Sequence, residues 1–251
     1  MNDSQTPPAH EPRPWGPIAT VIIGILIAVS TLLAQIGLEI LVSGLWASGP
    51  DPGRFAALPL GLAVSIDGMI GALAGAAAIW LAVGLRPPRR LDWVRVRGYL
   101  GLNRFAWRVL VFWTGSTLVY LVAMDAVSYW TGRPQVPDFI IEAYATSVWP
   151  LLFWIAIGVG APLFEELLFR GFLLAGFRKT PLRTAVAAVA ISAVWAGVHL
   201  QYGWYEIIWI FGLGLVFGAA RVHGGSLWLP VILHMQCNLL ATLQAARMQT
   251  P

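Results

Sequence analysis

Long apolar runs, separated by short polar breaks, make up most of this chain. They lie near residues 18–46, 59–85, 106–130, 146–177, 184–201, 205–220 and 227–246. Runs of this length suit helices that cross a hydrocarbon layer roughly 30 Å thick. The pattern therefore predicts an all-α fold, a polytopic membrane helix bundle with about seven spans (six to eight) by the length criterion. The fourth run exceeds what one span needs, so a broken or tilted helix is expected there. The stretch from Met1 to Pro17 is polar and proline-rich and reads as a disordered tail. The run that follows is too long for a signal-peptide core and reads as a retained first membrane helix.

Composition narrows the class. Charged residues make up 11% of the chain, against about 25% in soluble domains. Too little polar surface remains for a water-facing globule. Many of the thirteen tryptophans sit near the ends of the apolar runs, at interface depth. The single Cys237 excludes an intrachain disulfide and a zinc site built from several thiolates.

Charge then sets an orientation. Between Arg86 and Arg108 lie seven arginines and one acid, Asp92. The positive-inside rule makes this loop cytoplasmic. Alternation places Arg178, Lys179, Arg183 and Arg221 on the same side and gives a cytoplasmic N-terminus. The net charge of +4 thus reflects topology and contact of the Arg86–Arg108 loop with anionic lipid, not nucleic acid.

Against this background the ionisable residues inside the runs stand out, since each costs a few kcal/mol or more in a bilayer. Ala161-Pro162-Leu163-Phe164-Glu165-Glu166-Leu167-Leu168-Phe169-Arg170 carries three. His199 lies in one later run, and His234 with Asn238 in another. Along the helix axes, Glu165 falls roughly 20 Å from Arg178, His199 roughly 24 Å from Arg183 and His234 roughly 15 Å from Gly224, at 1.5 Å per residue. Three helices thus bring polar groups to similar depth. Glu166 and Arg170 are four apart and share a face, so they can pair. Glu165 points about 100° away and is left for chemistry. A desolvated glutamate suits a general base. His234 and Asn238 also share a face, and their N–H groups suit an oxyanion. Trp195, one turn before His199, is expected to wall the site and touch substrate.

The pattern Glu-Glu-x-x-x-Arg, aromatic-x-x-x-His and His-x-x-x-Asn, each on its own apolar segment, resembles the CPBP family. That family includes CAAX prenyl endopeptidases of the Ras-converting type and bacteriocin-processing or immunity proteins. The matching residues are Glu165, Glu166, Arg170, Trp195, His199, His234 and Asn238. Trp195 departs from the phenylalanine usual in the family. The resemblance divides the chain into a tail (1–17), N-terminal membrane helices with the basic loop (18–145) and a catalytic core (146–247). It implies an intramembrane endopeptidase acting on a protein or peptide, its site open toward the cytosol. In the family the first glutamate and first histidine are taken to activate water. The second histidine and the asparagine are taken to stabilise the oxyanion.

Other readings stay open here. Zinc held by Glu165, His199 and His234 would satisfy a two-His-one-carboxylate set. Yet His-Glu-x-x-His is absent and Asn238 is a poor ligand, so no cofactor is favoured. A buried ion-pair cluster that only fixes packing, a proton-coupled transporter and a non-proteolytic scaffold or immunity protein are the alternatives. Glu39, Asp67 and Asp125 read as interhelical or near-interface polar contacts. His10 and His223 read as solvated, and Gly212, Gly214 and Gly218 as packing positions.

Overall fold

The structure, a computed structural model, describes residues 14–47, 58–87, 89, 91–178 and 180–249. Most of the expected tail, Arg90 and Lys179 lie outside the described residues. Nine helices run among the described residues: α1 (Pro17–Ala47), α2 (Leu60–Gly84), α3 (Trp93–Leu100), α4 (Trp107–Trp130), α5 (Asp138–Ala145), α6 (Pro150–Leu173), α7 (Pro181–Gly197), α8 (Trp204–Gly224) and α9 (Trp228–Met248). The all-α expectation holds.

Helices α1, α2, α4, α6 and α8 are long and apolar enough to cross a membrane. In α4 only 6% of the apolar window is buried inside the protein, so the rest needs an apolar solvent. Length and composition thus support five spans, not the expected seven. Helix α7 has only 17 residues. Helix α9 is interrupted by the polar residues His234, Gln236, Asn238 and Gln244.

Four further expectations change. The basic loop holds a helix, α3, whose ends are written in its sequence. Asp92 Oδ1 accepts from Arg95 N at 2.8 Å, an N-cap. Gly101 closes the other end at φ +71°. Within this segment Arg95 is buried and donates to the Arg86 carbonyl, while Arg89, Arg97, Arg104 and Arg108 stay exposed. The loop after α4 likewise contains α5, begun by Pro137 with Asp138 in its first turn. Trp15, assigned to the tail, instead donates its indole N–H to the Ala82 carbonyl at 3.1 Å. Arg221, expected at the cytoplasmic surface, is 1% exposed and donates to the carbonyls of Leu100 and Arg170.

The core that carries the site is built on α6, with Phe153, Phe172, Phe217, Leu229 and Leu233 sealed inside. Helix α2 crosses α6 backbone to backbone. A Cβ on Gly68 would lie 2.6 Å from the Ala156 carbonyl, and one on Gly160 would lie 2.6 Å from the Gly68 carbonyl. Small residues permit that approach. Gly101 is constrained in two ways, by its positive φ and by the Arg221 guanidinium pressed against it. Gly101→Ala is expected to cost about 1–2 kcal/mol from the left-handed backbone alone. Thermal denaturation in detergent checks this; an unchanged midpoint contradicts it.

Candidate active site

Helix α6 is not a uniform α-helix. Widened π-type turns cover Ala156–Gly160 and Leu167–Leu173, on either side of the two glutamates. Such turns recur at functional sites. In the first of them the Ala161 N–H reaches back five residues to the Ala156 carbonyl. The next bond in that register would run from residue 162 to Ile157, but Pro162 has no N–H. The Ile157 carbonyl is instead taken by Asn238 Nδ2 of α9, at 2.9 Å. A sequence feature of α6 thus fixes an amide on α9. One amide hydrogen is committed there and the other is free to donate.

Glu166 turns inward. Its Oε1 accepts from Arg170 Nη1 at 2.9 Å and from His234 Nδ1 at 3.1 Å. Both partners of the ion pair are sealed, Glu166 at 0% and Arg170 at 1% exposure. Arg170 also donates to the Gly214 carbonyl at 3.3 Å and stacks 4.4 Å from the Trp195 ring. A bonded Nδ1–H fixes the His234 ring. Glu166 and Arg170 lie behind the cavity wall described below, not on it.

Glu165 faces the other way, as its spacing predicts. Its Oε2 accepts from Trp195 Nε1 at 2.6 Å and lies 3.9 Å from His199 Nε2. It is therefore not an unpartnered carboxylate. His199 is not inside a helix either. Helix α7 ends at Gly197, and His199 sits in the turn beyond it. Its Nδ1 meets the Trp195 carbonyl at 2.7 Å. A carbonyl only accepts, so Nδ1 carries the proton and, in the neutral ring, the Nε2 lone pair faces Glu165. The bond also satisfies one of the carbonyls left open where a helix stops. Trp195, expected to touch substrate, is 2% exposed and absent from the cavity wall. Its indole is spent on Glu165 instead.

Glu165, His199, His234 and Asn238 share the wall of one cavity of about 790 Å³. Glu39, Asp67, Asp125 and Glu206 line it too, with no Lys or Arg among its lining residues. The first three had read as interhelical or near-interface polar contacts; they lie on the chamber wall. Tyr202 stacks on His199, with ring centroids 6.1 Å apart. Burial, then the negative charges of Glu165 and Glu206, push its phenol well above the ordinary range. An aromatic residue three positions after His199 was the only signal for Tyr202 in the sequence. Among the described residues no three His, Cys, Asp or Glu groups converge as metal ligands.

Membrane-spanning helices around an internal chamber lined by carboxylates, imidazoles and an amide define a multi-pass integral membrane protein with a polar centre. Comparison with known proteins takes this further. Residues 147–240 match the family of type II CAAX prenyl endopeptidases, Rce1-like. The resemblance carried by the three motifs is thereby borne out over α6 to α9. An uncharacterized 24.3 kDa protein of Escherichia coli is 35% identical over 133 residues, or 51% of this chain and 61% of the relative. The match thus covers less than two thirds of that relative's length. No solved structure matches the chain.

Proposed function

We propose that this protein is an intramembrane endopeptidase in which Glu165 and His199 activate water. The observation that carries the reading is the 3.9 Å gap between Glu165 Oε2 and His199 Nε2 on the cavity wall. That gap is too long for a direct bond and suits two acceptors sharing one water molecule. The carboxylate takes a proton from that water as its oxygen attacks the peptide carbonyl. The carbonyl oxygen becomes the oxyanion. His234, its ring anchored by Glu166, and the uncommitted N–H of Asn238 stabilise it. As the tetrahedral species collapses, the amine leaves with the proton that Glu165 had taken. The family match over residues 147–240 supports this assignment of chemistry.

The same proposal includes a cytoplasmic N-terminus and the exposed arginines of the Arg86–Arg108 segment at an anionic lipid surface. Carboxylates without a Lys or Arg in the chamber favour a protein or peptide substrate whose bound segment is basic or neutral.

Zinc is the second mechanism to weigh, because the motif residues Glu165, His199 and His234 are competent donors. Among the described residues no three His, Cys, Asp or Glu side chains are placed to hold one ion, which favours the glutamate reading. Activity is therefore expected to survive phenanthroline and dialysis, with far less than one zinc per chain. Loss of activity on chelation, restored by added zinc, would overturn the glutamate mechanism.

Asn238→Ala tests the oxyanion role. It should lower turnover by roughly 100-fold, the usual effect of removing one such donor. Unchanged turnover on peptides that the parent protein cleaves would remove Asn238 from the mechanism.

A further inference from the structure

We propose that Trp195 is a positioning residue that sets the distance between the two water-activating groups. The inference rests on the peptidase reading of Glu165 and His199. Two bonds carry it, made by different parts of one residue. The indole N–H holds Glu165 Oε2 at 2.6 Å, and the main-chain carbonyl holds His199 Nδ1 at 2.7 Å. Among the described residues no other one bonds to both groups. The first bond fixes where the carboxylate oxygen sits. The second fixes the tautomer and the turn that aims His199 Nε2 at it.

The indole is itself immobilised. Its face lies against the Arg170 guanidinium at 4.4 Å, and the rings of His199, His234 and Phe217 lie 5.0, 5.3 and 5.9 Å away. Helix α8 leaves room for it: a Cβ on Gly214 would stand 3.1 Å from Trp195 Cε3 and 3.2 Å from Arg170 Nη2. Packing of this kind leaves few rotamers, so the bond to Glu165 is preorganised. A placement error of about 1 Å in a catalytic group can cost roughly 100-fold in rate. Trp195 is thus spent on geometry. It does not touch the chamber, and it contacts both groups that do.

The N–H, not the ring, carries the proposal, so the test separates them. Trp195→Phe keeps an aromatic face over Arg170 and removes the donor. Replacement of Trp195 by benzothienylalanine keeps the bicyclic shape and puts sulfur where the N–H was. Both should lower kcat roughly 10- to 100-fold, with KM within about twofold, since substrate binding is not touched. The thermal midpoint of the isostere should stay near that of the parent. A merely structural Trp195 predicts the opposite: full kcat in the isostere once the ring volume is restored.

An indole N–H resonance supplies a readout besides activity. The Trp195 signal, assigned by its loss in Trp195→Phe, should lie downfield of the other indoles and move upfield in Glu165→Gln. An unshifted signal, or full kcat in either variant, overturns the proposal. A parent protein that cleaves no peptide, while the indole still responds to Glu165→Gln, overturns the peptidase reading and the catalytic role of Trp195 with it. The bond itself would then stand.

Discussion

Glu165→Gln is expected to reduce peptide hydrolysis by about 10²- to 10⁴-fold, the range a positioned general base contributes. Glutamine keeps an oxygen that can accept from Trp195 Nε1, and the side chain is about one quarter exposed, so the fold should remain intact. What disappears is the capacity to take a proton from water. Glu166→Gln provides the contrast. Its carboxylate touches Arg170 and His234 behind the chamber wall. Its loss should therefore act through stability and the His234 ring. The check is turnover of detergent-purified protein on a peptide panel with and without prenyl groups, beside thermal midpoint and elution volume. Turnover close to that of the parent protein in Glu165→Gln, with the fold preserved, would remove Glu165 as base.

The sequence made the polar centre legible because a bilayer makes ionisable residues conspicuous. Glu166 and Arg170 could be paired from spacing alone, because four residues on a helix define one face. The opposite face then fell to Glu165. His199 shows where periodicity stops. The run from Ala187 to Leu200 stays apolar past the helix end, so hydropathy carries the helix on through His199. Gly197 was the stop signal, and the chain turns there. Helix α3 was missed for the converse reason. Its arginines read as a topogenic loop, although Asp92 and Gly101 mark both ends of a helix.

What the sequence withholds is which group each side chain meets across helices. Asp67 was visible as an acid well inside a span. Its place on the chamber wall depends on α2 approaching α6 at Gly68 and Gly160. The hold of Pro162 on Asn238 needs the π-type turn, which no local propensity announces. Trp195 read as a wall of the site because its indole partner lies 30 positions away.

Arg170→Met is expected to be the most destabilising single change in the site. The Glu166–Arg170 pair is completely buried, so solvent does not screen it. Among the described residues Glu166 Oε2 has no hydrogen-bond partner, and Oε1 depends on Arg170 and His234. Removing the guanidinium leaves a buried carboxylate compensated only by an imidazole. Losing one partner of such a pair costs about 3–5 kcal/mol. Methionine retains bulk against Trp195 and Phe217, so the loss reports mainly the charge. The bond to the Gly214 carbonyl goes as well. Removing the second charge as well, in Glu166→Gln with Arg170→Met, should recover part of the stability, because two neutral groups cost less to bury than one orphaned ion. Activity should stay low in the double variant, since the His234 ring loses the carboxylate that anchors its Nδ1. Thermal or denaturant unfolding in detergent measures both. If Arg170→Met unfolds with the parent protein, or the double variant is less stable than the single one, then orphaned charge is not what Arg170 prevents. The pair would then serve His234 alone.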